Sequence, residues 1–466
     1  MKWVHWGIIA IIVGVIWNLP VPSTIKPEGL HLLAIFSAVI YAVITKPLPM
    51  GAICMMALLS MLLTKILPFA DTFSGFTSDI VWLIVFAFFI SRGIIATGLG
   101  NRIAYTFMRL FGKKTLGLGY SMALTEFLLS PAIPSNTARA GGILYPILHS
   151  ISAAFGSNPS TPELAKRVGS YLTLNAFHVT CVTGAMFLTA MSGNPLSADI
   201  AAQSGADLTW IKWAIAGIVP GFLNIAILPY LIYKLAPPTI KETPDAPVYA
   251  RAKLLEMGKM SWREWTMAVV FVMLVVLWIF GESFQIKASV TALLGVAVLL
   301  LTGILKWKEI VKEENAWDTL IWFATLVMMA SYLGKFGVTS WFGDYVAGHI
   351  TGFTWQWGFL ILSLIYFFSH YLFASLIAHI GAMYAAFLLV AIAIGTPVYL
   401  AAFVLAFFSN LFGALTHYSS GPAAVLFASG YVSIGTWWRV GSIVSLVNIV
   451  IWLGVGSLWW KFLGYW

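Results

Sequence analysis

The chain holds 466 residues, 60% of them hydrophobic and only 9% charged, with a net charge of +9 at pH 7. A soluble domain carries about 25% charged residues, so most of this surface faces something other than water. Soluble enzymes, nucleic-acid modules and disordered chains are excluded, leaving a polytopic all-α membrane protein whose first partner is the lipid bilayer.

Apolar runs near 6–19, 30–45, 49–64 and 79–96 predict the first four membrane helices. The stretch from Trp6 to Trp17 lacks a convincing small-residue cleavage site and runs on into more spans, so it reads as a helix and not a cleaved signal. The two cysteines, Cys54 and Cys181, sit in apolar segments and read as small core residues. Asp79 begins the fourth span, and Gly98 leads from it into an amphipathic stretch over 99–112.

The apolar stretch 117–150 is not a simple span. Its middle reads FLLSPAIPSNTARAGG. Pro131 and Pro134 stop an incoming helix, and Ser135, Asn136 and Thr137 suit the start of an outgoing one. Irregular backbone at membrane depth survives only where protein or a water-filled cavity surrounds it, so the segment reads as a re-entrant hairpin. Free amide hydrogens and the helix dipole make its tip an anion site. The competing readings are a plain helix cap and a small-cation site. Arg139, four residues past Ser135, is a costly intramembrane charge. It either pairs with Glu126 across the hairpin or stands as a permanent cation beside the anion site.

The span 169–190 ends in a broken pattern, Thr189 to Pro195 with Ser192 between, where Gly and Pro free backbone groups for a ligand or simply end a helix. His178 within it reads as a packed core residue. A span over 210–233 precedes the polar linker 236–262, and spans follow over 264–281, 288–305 and 317–333. A second hairpin, 355–394, carries YLFASLIAHIGAMYAAF, with Ser375 and His379 near its tip. His379 reads as a ligand contact or a buried, hydrogen-bonded core residue. The span 398–415 breaks at Thr416, His417, Ser419, Ser420, Gly421 and Pro422, and 440–460 completes eleven spans.

The halves match. Asp318 and Gly337 repeat the spacing of Asp79 and Gly98, each pair runs through an amphipathic stretch into a hairpin, and Thr416, Ser419 and Pro422 repeat the spacing of Thr189, Ser192 and Pro195. An odd number of spans between corresponding elements makes this an inverted repeat, a mark of secondary transporters. With the N-terminus in the cytoplasm, eighteen of the 26 lysines and arginines fall in cytoplasmic segments and six on the opposite side, which is the distribution the positive-inside rule demands. Nucleotide P-loop, HExxH and GxSxG signatures are absent, so no ATP-driven pump, catalytic residue, metal or cofactor is expected.

PSNTARAGGILYP resembles the first Ser-Asn-Thr hairpin motif of the divalent anion:sodium symporter family. FASLIAHIGAMYAAF and SNLFGALTHYSSGPA resemble its oxoglutarate/malate translocator branch, and the likeness covers essentially the whole chain. The resemblance implies a homodimeric elevator whose transport domain slides against a scaffold. The expected division is scaffold 1–115 and 263–350, transport domain 116–235 and 351–466. The hairpin tips and broken spans together give the expected contacts to substrate: Ser135, Asn136, Thr137, Thr189, Ser192, Ser375, His379, Thr416, His417, Ser419, Ser420, Gly421 and Pro422. Sodium-coupled members carry Ser-Asn-Thr at both tips, whereas this chain has Ala378-His379-Ile380-Gly381 at the second. The expectation is sodium-independent exchange of C4 and C5 dicarboxylates, with fixed charge on Arg139 and His379 in place of sodium. The alternatives are a sodium-coupled symporter, a citrate or tartrate/succinate exchanger, and, from another class, an anion channel or a membrane enzyme.

Overall fold

A computed structural model describes residues 2–349 and 354–466. The described chain is helical throughout, with one isolated bridge, Lys114 to Glu242, in place of any strand. All eleven expected spans form helices, and the last is longer than expected, running over Ile434–Phe462. The expected domain boundary at 350–351 lies outside the described residues.

The two repeats agree at their punctuation. Helix Asp79–Thr97 ends on Gly98 with φ +77°, and the helix before Gly337 ends similarly, with φ +86° at that glycine. Both occupy the left-handed region that glycine adopts without steric cost. A Cβ on Gly337 would also come within 2.5 Å of the Thr24 carbonyl oxygen. The second helix of the pair starts one turn earlier than its Asp318 suggested, at Glu314.

Helix Gly169–Met186 stands at the centre, with every one of its residues buried. That explains its mixture of Ser170, Thr173, Asn175, Thr180 and Thr183 among apolar residues: it never meets lipid. Its neighbour Val398–Leu411 is buried from Leu400 onward. Helix Trp262–Phe280 lies at the periphery and turns Trp265, Val269, Val272 and Val276 outward, as a lipid-facing stripe does. Its start carries a capping box, Ser261 with Glu264, and Glu264 also receives Arg102 at 2.5 Å.

Both hairpins are present. The first pairs Thr115–Leu129 with an outgoing arm that is π-wound over Ala138–Leu144 before continuing as Tyr145–Ala154. The second pairs Trp355–Phe368 with Leu376–His379, π-wound Ile380–Tyr384 and Ala385–Ala393. A π turn just past each tip is the same irregularity placed by the same repeat, and such turns recur where side chains must be re-aimed for function.

The polar linker is folded. Helix Asp245–Glu256 packs on Leu99–Phe111. The stretch before it is stitched to the base of the first hairpin: Thr115 N donates to the Lys241 carbonyl at 2.9 Å and Thr243 N to the Lys113 carbonyl at 2.8 Å.

Candidate functional site: a cavity between two hairpin tips

A cavity of about 760 Å³ lies where both hairpin tips and both broken spans meet. Nine of the thirteen expected contact residues line it: Ser135, Asn136 and Thr137, then Ser192 and Ser375, then His417, Ser420, Gly421 and Pro422. The wall opposite comes from residues that sequence patterns did not single out for the site, Lys46, Phe88, Asn315, Asp318, Thr319 and Trp322. Exposed Lys46, Asn315 and Asp318 form the mouth. Lys46 and Asn315 carried only the signal of polarity near a helix end, which loops share, and Asp318 only its place in the repeat.

Three serines set the chemistry. Ser135 Oγ accepts from Ala138 N at 3.1 Å, Ser375 Oγ from Ala378 N at 3.3 Å and Ser420 Oγ from Ala423 N at 3.4 Å. Each caps a helical segment whose start borders the cavity, and each keeps its own O–H to donate elsewhere. Capping and ligand contact are therefore compatible at the same residue. The positive ends of three helical segments converge on one space, as an anion requires.

The tips interlock through glycine. A Cβ on Gly421 would lie 2.2 Å from Thr137 Oγ1, and one on Gly193 would lie 2.6 Å from Ile380 Cδ1. Each hairpin thus rests on the broken span of the other half. Asn194 and Asn410 tie the two spans together, Nδ2 of Asn410 donating to Oδ1 of Asn194 at 2.7 Å.

Arg139 is fully buried beneath the first tip. Its Nε donates to Glu126 Oε1 at 2.9 Å, its Nη1 to the Ala190 carbonyl at 2.6 Å and to the Ile133 carbonyl, and its Nη2 to Asn136 Oδ1 at 2.8 Å. The expectation of an uncompensated cation here is corrected: Glu126 neutralises it, and a lone buried charge would be far costlier than this pair. A guanidinium only donates, so it fixes the Asn136 oxygen toward itself and leaves the amide N–H₂ for a ligand.

Four expected contacts stand behind the cavity wall rather than on it. Thr189 donates to the Pro131 carbonyl at 2.5 Å and accepts from Trp210 Nε1 at 3.1 Å. Thr416 is buried, and Ser419 donates to the Thr416 carbonyl at 2.8 Å. His379 is buried against His370 and Ser369. His417 does reach the cavity: Trp438 Nε1 donates to its Nδ1 at 3.2 Å, so the neutral ring carries its proton on Nε2, free to donate.

A second cavity, about 530 Å³, is lined by Asp79, Asp199, Asp207 and Glu282 with Lys287. Lys287 pairs with Asp79 at 2.9 Å and Lys212 with Asp207 at 3.1 Å. Its excess of carboxylates repels anions, so it does not compete with the first as a site for them.

Residues 1–466 match the family described as "sodium:sulfate symporter transmembrane region". The chain belongs to this family, the divalent anion:sodium symporters. It is 54% identical over 461 residues to the putative malate transporter YflS of Bacillus subtilis, covering 98% of this chain and 96% of that one. It is 50% identical to the chloroplastic dicarboxylate transporter 1 of Arabidopsis thaliana, over 97% of this chain and 82% of that one. It is 33% identical to the citrate/succinate antiporter of Escherichia coli, over 99% and 98%. The crystal structure of the Alcanivorax borkumensis YdaH transporter shares the fold, with a TM-score of 0.56 over 84% of this chain and 87% of that one at 14% identity. This family member has the membrane-spanning, all-helical architecture expected from its hydropathy.

Proposed function

We propose that this symporter-family protein exchanges C4 or C5 dicarboxylates, such as 2-oxoglutarate, malate, succinate or fumarate, across the membrane without sodium. It is a transporter and not an enzyme in this reading. The observation that carries it is the convergence of three serine-capped helix starts on one cavity, with the Asn136 amide and His417 Nε2–H as further donors. One carboxylate sits at Ser135, Asn136 and Thr137, and the other at His417, Ser420 and the start of the helix over Gly421–Ala428. Relatives named for malate, dicarboxylates and citrate/succinate antiport support the substrate class and the exchange.

The hairpins and broken spans form a transport domain that slides against the scaffold within a homodimer. With the N-terminus in the cytoplasm, as in a bacterial inner membrane, the mouth at Lys46, Asn315 and Asp318 opens inward, so this is the inward-facing state. Uptake of labelled diacid into proteoliposomes preloaded with a panel of diacids, with and without sodium, tests the assignment. Uptake without preload, or conversion of the solute, contradicts it.

A further inference from the structure

Two charged residues border the mouth of the cavity, and they are held differently. Lys46 stands at the end of helix Pro27–Thr45 and Asp318 near the start of Glu314–Lys335. Asp318 is engaged: its Oδ1 accepts from Gly51 N at 3.2 Å, and a Cβ on Gly51 would strike that same oxygen. Glycine at 51 lets the carboxylate lie against the backbone there. Lys46 is free. Among the described residues, no carboxylate pairs with its ammonium.

The backbone places Lys46 closely. It ends helix Pro27–Thr45 with φ 51° and ψ 49°, its N–H donating to the Ala42 carbonyl at 2.7 Å. Glycine or asparagine is usual at such a left-handed helix end, because a β-carbon there is crowded. Pro47 and Pro49 follow and remove further backbone freedom before helix Met50–Leu63 begins. The exposed side chain therefore starts from a fixed point. It borders both the main cavity and a smaller one of about 360 Å³, and Ser375 of the second hairpin borders the same two. A full positive charge thus shares its space with one of the three serine-capped helix starts.

We infer that Lys46 captures the diacid from the cytoplasm and helps to hold it while the cavity faces inward. The inference rests on the dicarboxylate reading above. The serines, Asn136 and His417 act through hydrogen bonds, at contact distance. An ammonium acts across the mouth, over about 10 Å at ordinary ionic strength. No internal ion pair has to break before Lys46 can meet a carboxylate. Asp318 works against an incoming dianion, so the pull of the mouth is the difference between the two charges. Lys46 also stays behind. It belongs to the scaffold, whereas Ser135, Asn136, Ser375 and Ser420 travel with the transport domain. Outward movement carries the diacid away from Lys46, which confines its contribution to the inward-facing state.

Calorimetry on the purified protein tests this, with malate and 2-oxoglutarate titrated at low and at high ionic strength. Lys46→Gln is expected to weaken both roughly two- to fivefold at low ionic strength, as loss of an exposed charge contact does, and by less at high. Lys46→Glu should weaken them further, and Lys46→Arg should stay near the parent. Asp318→Asn, which keeps the oxygen that Gly51 N needs, should tighten binding. In a background lacking Cys54 and Cys181, Lys46→Cys should regain affinity when a thiol reagent attaches an aminoethyl group, and not when one attaches a sulfonatoethyl group. Equal affinity in the parent, Lys46→Gln and Lys46→Glu overturns the inference. So does a loss that the attached ammonium fails to reverse or that salt leaves unchanged. Failure of every diacid to bind the parent overturns the dicarboxylate reading instead.

Discussion

Arg139 and Glu126 form an ion pair at 2.9 Å inside one hairpin, both side chains fully buried. The pair fixes the tip from below, because the same guanidinium holds the Ile133 and Ala190 carbonyls and the Asn136 oxygen. Breaking such a pair from one side costs about 3–5 kcal/mol, since the remaining charge has no partner. Glu126→Gln and Arg139→Ala should each lower the melting temperature of the purified protein markedly. Neither should yield a well-folded protein that leaks diacid into empty vesicles. A stable Arg139→Ala variant with robust net flux would restore arginine as the mobile domain's uncompensated charge.

Asn136 is held by Arg139 on its oxygen side and offers its amide to the cavity. Losing a hydrogen bond to a charged group costs about 1.5–3 kcal/mol, or roughly ten- to hundred-fold in affinity. Asn136→Ala should weaken diacid binding by that factor in a direct titration. Unchanged affinity would remove Asn136 from the site.

Thr137 and Gly421 meet where the two halves cross. A methyl group on Gly421 would meet Thr137 Oγ1 at 2.2 Å, so the Thr137 side chain and the tip that carries it must shift. Gly421→Ala should therefore displace the first tip and abolish exchange. Adding Thr137→Ala removes the obstructing oxygen and should recover the melting temperature without recovering exchange.

The second broken span separates lining from supporting residues. His417 and Ser420 border the cavity, whereas Thr416 and Ser419 lie behind it. In a background lacking Cys54 and Cys181, which are both buried, cysteines at 417 and 420 should react with a polar thiol reagent, and diacid should protect them. Cysteines at 416 and 419 should stay unlabelled. Labelling at all four positions without protection would mean that the span faces bulk water.

The helices and the repeat were legible because lipid enforces long apolar runs and because glycine and proline mark the ends of broken ones. Gly98, Gly337 and the Ser135–Thr137 tip were found that way. Asp318 illustrates the limit: its helix starts a turn earlier because Glu314 and Asn315 are as compatible with a helix start as Asp318 is. Spacing also could not tell lining from second-layer residues, since Thr416 and Ser420 lie four residues apart in one irregular segment, and only what packs on them sends Thr416 behind the cavity and Ser420 onto it. Lys46 escaped notice for a related reason. It borders the cavity beside Asn315, Asp318 and Thr319, residues distant in sequence, and no local pattern records that distance.

Sodium-independent exchange is tested most directly by initial uptake of labelled malate and 2-oxoglutarate into proteoliposomes, either preloaded with unlabelled diacid or empty, each in sodium and in potassium buffer near neutral pH. Rapid uptake into preloaded vesicles, equal in both buffers, with negligible uptake into empty ones is the expected result. Sodium-dependent uptake into empty vesicles would contradict it and would assign the protein to sodium symport.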